Sequence, residues 1–146
     1  MSTIFSRQCE YAIQAVLYLA MKPHDGKTSI KELTRQLEIP YHFVAKILQD
    51  LGRKGLLVSL KGPSGGFALA RQPGEITLLE IVDAIDGTAF LHDCVLGFPD
   101  CSSKTPCPAH DRWEKVRENI SEMLIGQTVA QMAKNTHKPQ YRQKKR

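Results

Sequence analysis

The sequence predicts a mainly α-helical chain with one small β-hairpin wing (a winged helix-turn-helix) and a long C-terminal dimerisation helix. Three observations predict it. Apolar residues recur at three- and four-residue spacing in five separate stretches, the signature of amphipathic helices. A single Gly-rich turn, Lys61-Gly62-Pro63-Ser64-Gly65-Gly66, lies between two short apolar runs and reads as a hairpin. Two S/T-x-x-E patterns, at Ser29 and Thr77, are helix-opening capping boxes.

The elements follow in order. Phe5, Cys9, Ile13, Val16, Leu17 and Ala20 place a first helix over residues 5–21, ended by Pro23, Asp25 and Gly26. Ser29 and Glu32 open a short second helix whose buried face is Ile30, Leu33 and Leu37. Pro40 stands where a third helix can begin, because its missing N–H costs nothing in a first turn. Phe43, Val44, Ile47, Leu48 and Leu51 form that helix's stripe, and Gly55 suits its C-terminal cap. Leu56 to Leu60 and Phe67 to Ala70 are the two strands. Leu78, Leu79, Ile81, Val82 and Ile85 pack the helix opened by Thr77 and Glu80, and Gly87 closes it. Residues 88–110 show no period and carry Pro99, Pro106 and Pro108, as a structured loop or a site would. Trp113, Val116, Ile120, Met123 and Ala130 predict one long helix over 111–133, with Gly126 and Gln127 weakening its stripe. The expected organisation is a DNA-binding domain over 1–87, a cysteine loop over 88–110, a dimerisation helix over 111–133 and a disordered basic tail over 134–146.

Composition bounds the function. The 146 residues carry 42% hydrophobic and 24% charged side chains, which suits a small globular protein with a core of its own. The net charge of +5 divides into +5 over residues 1–72, −6 over 73–133 and +6 over 134–146. A basic front suits a polyanion, and an acidic middle repels one. The longest apolar stretch, Tyr11 to Met21, contains Gln14 and falls short of the ~18–20 residues that span a bilayer, so no membrane partner and a cytoplasmic location are expected. In that compartment the four cysteines are reduced thiols or metal ligands. A P-loop, an HExxH pair and a nucleophile elbow are all missing, so the chain is not expected to be an enzyme.

Two sites stand out. In the helix-turn-helix, the second helix of the pair can enter the major groove of double-stranded DNA with Lys46 and Gln49 toward base edges. Tyr41 and His42 sit at its positive N-terminal end, and Ser29 opens the preceding helix. Arg53, Lys61 and Ser64 are candidate backbone contacts, with Gly62, Gly65 and Gly66 allowing close approach. The same pattern also serves as a docking module for an acidic protein partner. In the irregular segment, Cys94, Cys101 and Cys107 are separated by six and then five residues, and two more residues separate Cys107 from His110. Three thiolates on a loop can converge on an iron–sulfur cluster or a zinc ion, or can act as redox thiols, or can be inert. Short C-x2–4-C pairs, usual in structural zinc sites, are missing. Cys9, on the apolar stripe with Phe5 and Ile13, reads as a core cysteine.

The stretches Phe5-Ser6 through Glu10-Tyr11-Ala12, Leu17 to Ala20, Lys61 to Arg71 and Ile76 to Val82 resemble the Rrf-two family of bacterial winged-helix transcription regulators. The resemblance spans roughly residues 1–133, and it implies a homodimer built on the last helix and reading a pseudo-palindromic operator. Half-sites would then repeat at about one helical turn, 10 base pairs, or a multiple. The three cysteines resemble the family's iron–sulfur branch, which includes the IscR, NsrR and RirA types, with a first gap one residue longer than is often seen. In the IscR type the position of His110 is a ligand, which implies a 2Fe–2S cluster held by Cys94, Cys101, Cys107 and His110. In the NsrR type a carboxylate at the position of Glu10, given by the partner subunit, implies a 4Fe–4S cluster instead. The resemblance implies a regulator, most often a repressor, whose DNA binding follows the state of the cluster.

Overall fold

The computed structural model describes residues 4–22 and 27–138. Helix α1 (Arg7–Ala20) starts at Ser6, whose hydroxyl accepts the Cys9 N–H at 3.1 Å and donates to Asp86 at 2.5 Å. Pro23, Asp25 and Gly26, expected to end this helix, lie outside the described residues; Met21 caps it. Helix α2 (Ile30–Leu37) opens at Ser29, which accepts the Glu32 N–H at 3.1 Å. The return half of that box is not made. The Glu32 carboxylate turns to α1, accepting from the Tyr18 hydroxyl at 2.9 Å and meeting Lys22 at 2.6 Å. Glu38 takes the left-handed conformation (φ 54°), Ile39 is buried, and Pro40 caps α3 (Tyr41–Arg53). Gly55, at φ 76°, supplies the backbone turn that ends α3.

The hairpin pairs β1 (Leu57–Leu60) with β2 (Gly66–Leu69) in antiparallel register, Leu57 opposite Leu69. It is tied to the helical body by Thr28, which exchanges backbone hydrogen bonds of 2.9 and 2.8 Å with Phe67. A Cβ on Gly66 would come within 2.6 Å of the Thr28 carbonyl oxygen, so glycine is required there by the protein's own backbone.

Helix α4 (Leu78–Ile85) has a complete capping box between Thr77 and Glu80, and Arg71 adds a bidentate pair to the Glu80 carboxylate at 2.9 and 3.1 Å. A 3-10 turn over Ala89–Leu91 leads into the cysteine segment. The single helix expected over 111–133 is instead two, α5 (His110–Gly126) and α6 (Val129–Lys134). The chain breaks because Gln127 and Thr128 leave the helix to pair with the segment before α4. The Leu78 N–H donates to the Gln127 carbonyl at 2.9 Å and the Val129 N–H to the Ile76 carbonyl at 2.8 Å, while Thr128 and Gln131 cap α6 with a box of their own. Lys134, expected in the tail, closes α6, and residues 139–146 lie outside the described residues.

The main core joins Ala12, Val16 and Leu19 of α1 to Leu33 of α2, Val44, Ile47, Leu48 and Leu51 of α3, and Ile81 of α4. A second cluster of Cys9, Leu78, Val82, Ile120 and Leu124 fastens α5 to α1 and α4. The predicted stripe of α5 is therefore only partly buried. Ile120 and Leu124 face inward, while Val116 and Met123, seven residues apart on one flank, are 44% and 43% exposed.

Candidate metal centre and nucleic-acid interface

The cysteine segment owes its shape to backbone turns rather than to regular structure. The Gly97 N–H donates to the Cys94 carbonyl at 3.0 Å, and the His110 N–H to the Cys107 carbonyl at 3.1 Å. Between Cys101 and Cys107, the Thr105 hydroxyl donates to the Asp100 carbonyl at 2.9 Å, and the Ser102 hydroxyl accepts from the N–H groups of Lys104 and Thr105. These turns bring the sulfur atoms of Cys94, Cys101 and Cys107 within 4.8 Å of one another. Cys94 and Cys107 are 3.5 Å apart, and His110 Nδ1 is 3.3 Å from Cys101. Glu10 sits in the first turn of α1 and is not gathered with the thiols of its own chain among the described residues.

The thiols differ electrically. Burial opposes ionisation of Cys94, but backbone N–H groups at Phe98 and Leu96 and the neighbouring thiols outweigh it and bring its pKa down to about 7. Burial pushes the Cys107 thiol up, and its neighbours Cys94 and Cys101 push it further. Of the pair in contact at 3.5 Å, Cys94 is therefore more readily ionised than Cys107. Cys9 is fully buried in the core, as its place on the stripe predicts. Burial, with Asp86 beside it, pushes its pKa up to about 12.

One wall of the cavity that holds the three thiols is α5, which presents His110, Trp113 and Arg117 on a single face; His92 also lines it. Trp113 Nε1 donates to the Asp93 carbonyl at 2.8 Å and Arg117 Nη1 to the Leu91 carbonyl at 3.3 Å, clamping the segment just before Cys94. Sequence reasoning missed His92, Trp113 and Arg117. The spacing of Trp113 and Arg117 from His110, three and seven residues, was the available signal. The donor set of three convergent sulfurs and one imidazole nitrogen fits a soft metal centre, and the same cavity is lined by Arg117, whose buried Nε has no hydrogen-bond partner.

The helix-turn-helix presents its predicted residues as a surface. Tyr41, His42, Lys46 and Gln49 are exposed on α3, and Arg53 at its end. Lys46 is held by Asp50 one turn on, at 3.1 Å, so its ammonium must leave that pair to reach a base. Ser29 and Tyr41 share a groove of about 310 Å³ with Ser59, Leu60, Gly65 and Phe67 at the root of the wing. Lys61 and Ser64 are exposed at the wing's tip. Among the described residues no helix is long and apolar enough to cross a membrane.

Comparison with known proteins agrees with this architecture. The chain is 35% identical over 129 residues to a protein of Aquifex aeolicus assigned as an HTH-type transcriptional regulator, covering 86% of this chain and 88% of that one. It is 26% identical over 125 residues to the HTH-type transcriptional regulator IscR of Xenorhabdus nematophila, covering 86% and 76%. Among solved structures it resembles CymR, the global cysteine regulator of B. subtilis, with a TM-score of 0.79, 25% identity and coverage of 94% of this chain and 100% of that one. It also resembles T. potens IscR, with a TM-score of 0.73, 27% identity and coverage of 94% and 90%. Residues 5–135 match the family Rrf2, iron-dependent transcriptional regulator, and the chain belongs to that family of winged-helix, DNA-binding transcription regulators.

Proposed function

We propose that this regulator binds operator DNA as a homodimer, represses the promoters it occupies, and takes its affinity for them from an iron–sulfur cluster held by Cys94, Cys101, Cys107 and His110. The observation that carries this reading is the convergence of three thiols within 4.8 Å, with the imidazole of His110 3.3 Å from one of them. That donor set favours a 2Fe–2S cluster, which would supply a redox- or nitric-oxide-sensitive inorganic centre. A 4Fe–4S cluster completed by Glu10 of a second copy is the alternative. The exposed flank of Val116 and Met123 on α5 supports a second copy packed along that helix. The exposed row of Tyr41, His42, Lys46 and Gln49, with Ser29, Arg53, Lys61 and Ser64 around it, supports major-groove reading flanked by phosphate contacts.

Coupling between the sites follows from connectivity. The helix that lines the thiol cavity carries the exposed flank at Val116 and packs on α4. Filling the cavity fixes one orientation of α5, and hence one spacing of two recognition helices. The cluster shifts DNA binding only by its differential affinity for the two arrangements.

Anaerobic purification tests the reading. We expect iron and inorganic sulfide in the wild type, and their loss in Cys101→Ala while helicity and dimerisation persist. Mössbauer spectra of His110→Ala and Glu10→Ala then assign the fourth ligand. A colourless protein with one zinc per chain would reject the cluster. A second reading, a thiol switch between Cys94 and Cys107, is favoured by their 3.5 Å separation and the acidity of Cys94; a reversible disulfide in iron-free protein would mark it.

A further inference from the structure

The thiol cavity contains a positive charge besides its candidate ligands. Arg117 is the one lysine or arginine lining it among the described residues. Its Nη1 is used by the Leu91 carbonyl, but its Nε is buried and has no hydrogen-bond partner. A buried, unpaired guanidinium N–H is costly, and it points to a partner that occupies the cavity. The cavity's three thiols are anionic once ionised, and a cluster held by thiolates carries net negative charge. Among the described residues no other lysine or arginine lines the cavity to offset that charge.

Resting on the cluster reading above, we propose that Arg117, which lines the same cavity as the three thiols, is a positioning and tuning residue whose charge and unpaired Nε–H would favour the reduced state of a bound cluster. Adding one electron to a cluster makes it more negative, so a buried cation beside it stabilises the reduced form over the oxidised one. Hydrogen bonds to sulfur act in the same direction, and both are recognised determinants of cluster potentials. The clamp on Leu91 makes the placement firm, because it anchors the guanidinium to the segment that leads directly into Cys94.

The test compares the full-length wild type, Arg117→Lys and Arg117→Gln after anaerobic reconstitution. Iron and sulfide per chain are measured first. The one-electron midpoint potential is then read by visible and EPR spectroscopy in a dithionite titration. Arg117→Gln is expected to shift the reduced-to-oxidised ratio at fixed potential by about tenfold toward oxidised, ~59 mV. Arg117→Lys, which keeps the charge, is expected to stay near the wild type. Should the Gln variant lose its cluster while Lys holds it and both apo chains keep wild-type circular dichroism, the charge requirement is equally supported. Lys and Gln variants that match each other in potential and in retention would overturn the proposal, since a purely structural clamp on Leu91 does not separate them by charge. Iron-free wild type would instead overturn the cluster reading beneath it.

Discussion

Cys94 and Cys9 carry the same side chain in opposite environments. Backbone N–H groups around Cys94 favour its thiolate, whereas apolar packing and Asp86 hold Cys9 protonated. In apo protein, Cys94 should be alkylated with a rate that rises through pH 7, being about one-tenth ionised at pH 6 and about nine-tenths at pH 8. Cys9 should remain unmodified until the chain unfolds. Mass spectrometry of iodoacetamide-treated peptides distinguishes them, and a Cys94 profile centred near that of a free thiol would contradict the assignment. On the DNA face, Lys46→Ala should cost about 1–3 kcal/mol on a specific operator and less on random duplex. Equal losses on both would make Lys46 a phosphate contact. The gathering of Cys94, Cys101 and Cys107 near His110 is legible in the sequence because their residue types are rare and cluster in an aperiodic segment. Arg117 and Trp113 are not. Which polar side chains of α5 face the loop depends on the helix's rotation, and that is set by the burial of Ile120 and Leu124 against α1 and α4.

The wing and the α5–α6 corner show how elements are held in place. The glycines at the wing's tip look suited to nucleic acid from sequence, yet Gly66 is needed because the Thr28 carbonyl occupies the space of its Cβ. Gly66→Ala should therefore destabilise the chain by about 1–3 kcal/mol in chemical denaturation and weaken DNA binding through a displaced wing. Unchanged stability would mean that Thr28 yields freely. At the corner, Thr128→Ala removes a capping box and should cost about 1 kcal/mol, seen as a lower denaturation midpoint with little loss of helicity. Local signals gave most elements: the box at Thr77, the cap at Gly55 and the hairpin turn all stand where their chemistry places them. The missed corner carried its own signal in Thr128-x-x-Gln131. The apolar period running past Gly126 hid it, because tertiary pairing with Ile76 and Leu78 outweighs two more turns of helix.

At the level of the whole molecule, the basic front of +5 carries the helix-turn-helix and the acidic middle of −6 carries the cysteine segment, α5 and most of α6. Phosphate contacts are therefore expected at the helix-turn-helix rather than on the acidic middle, and DNA affinity should fall steeply with salt, with a log–log slope near −0.9 per neutralised phosphate. The acidic middle carries the groups to which sensing and assembly are assigned in the proposed function. In the proposed reading, its link to the recognition helices would run through the face of α5 formed by His110, Trp113 and Arg117, which lines the thiol cavity, and through the packing of α5 on α4. Couplings of this kind are about 1–3 kcal/mol, roughly 5- to 150-fold in affinity. The most direct measurement is anaerobic fluorescence anisotropy on one operator duplex, selected from random sequence, titrated with a single protein preparation before and after removal of its iron. The account predicts a change in affinity within that range, accompanied by loss of the visible spectrum. Identical binding curves from iron-loaded and iron-free protein would contradict it.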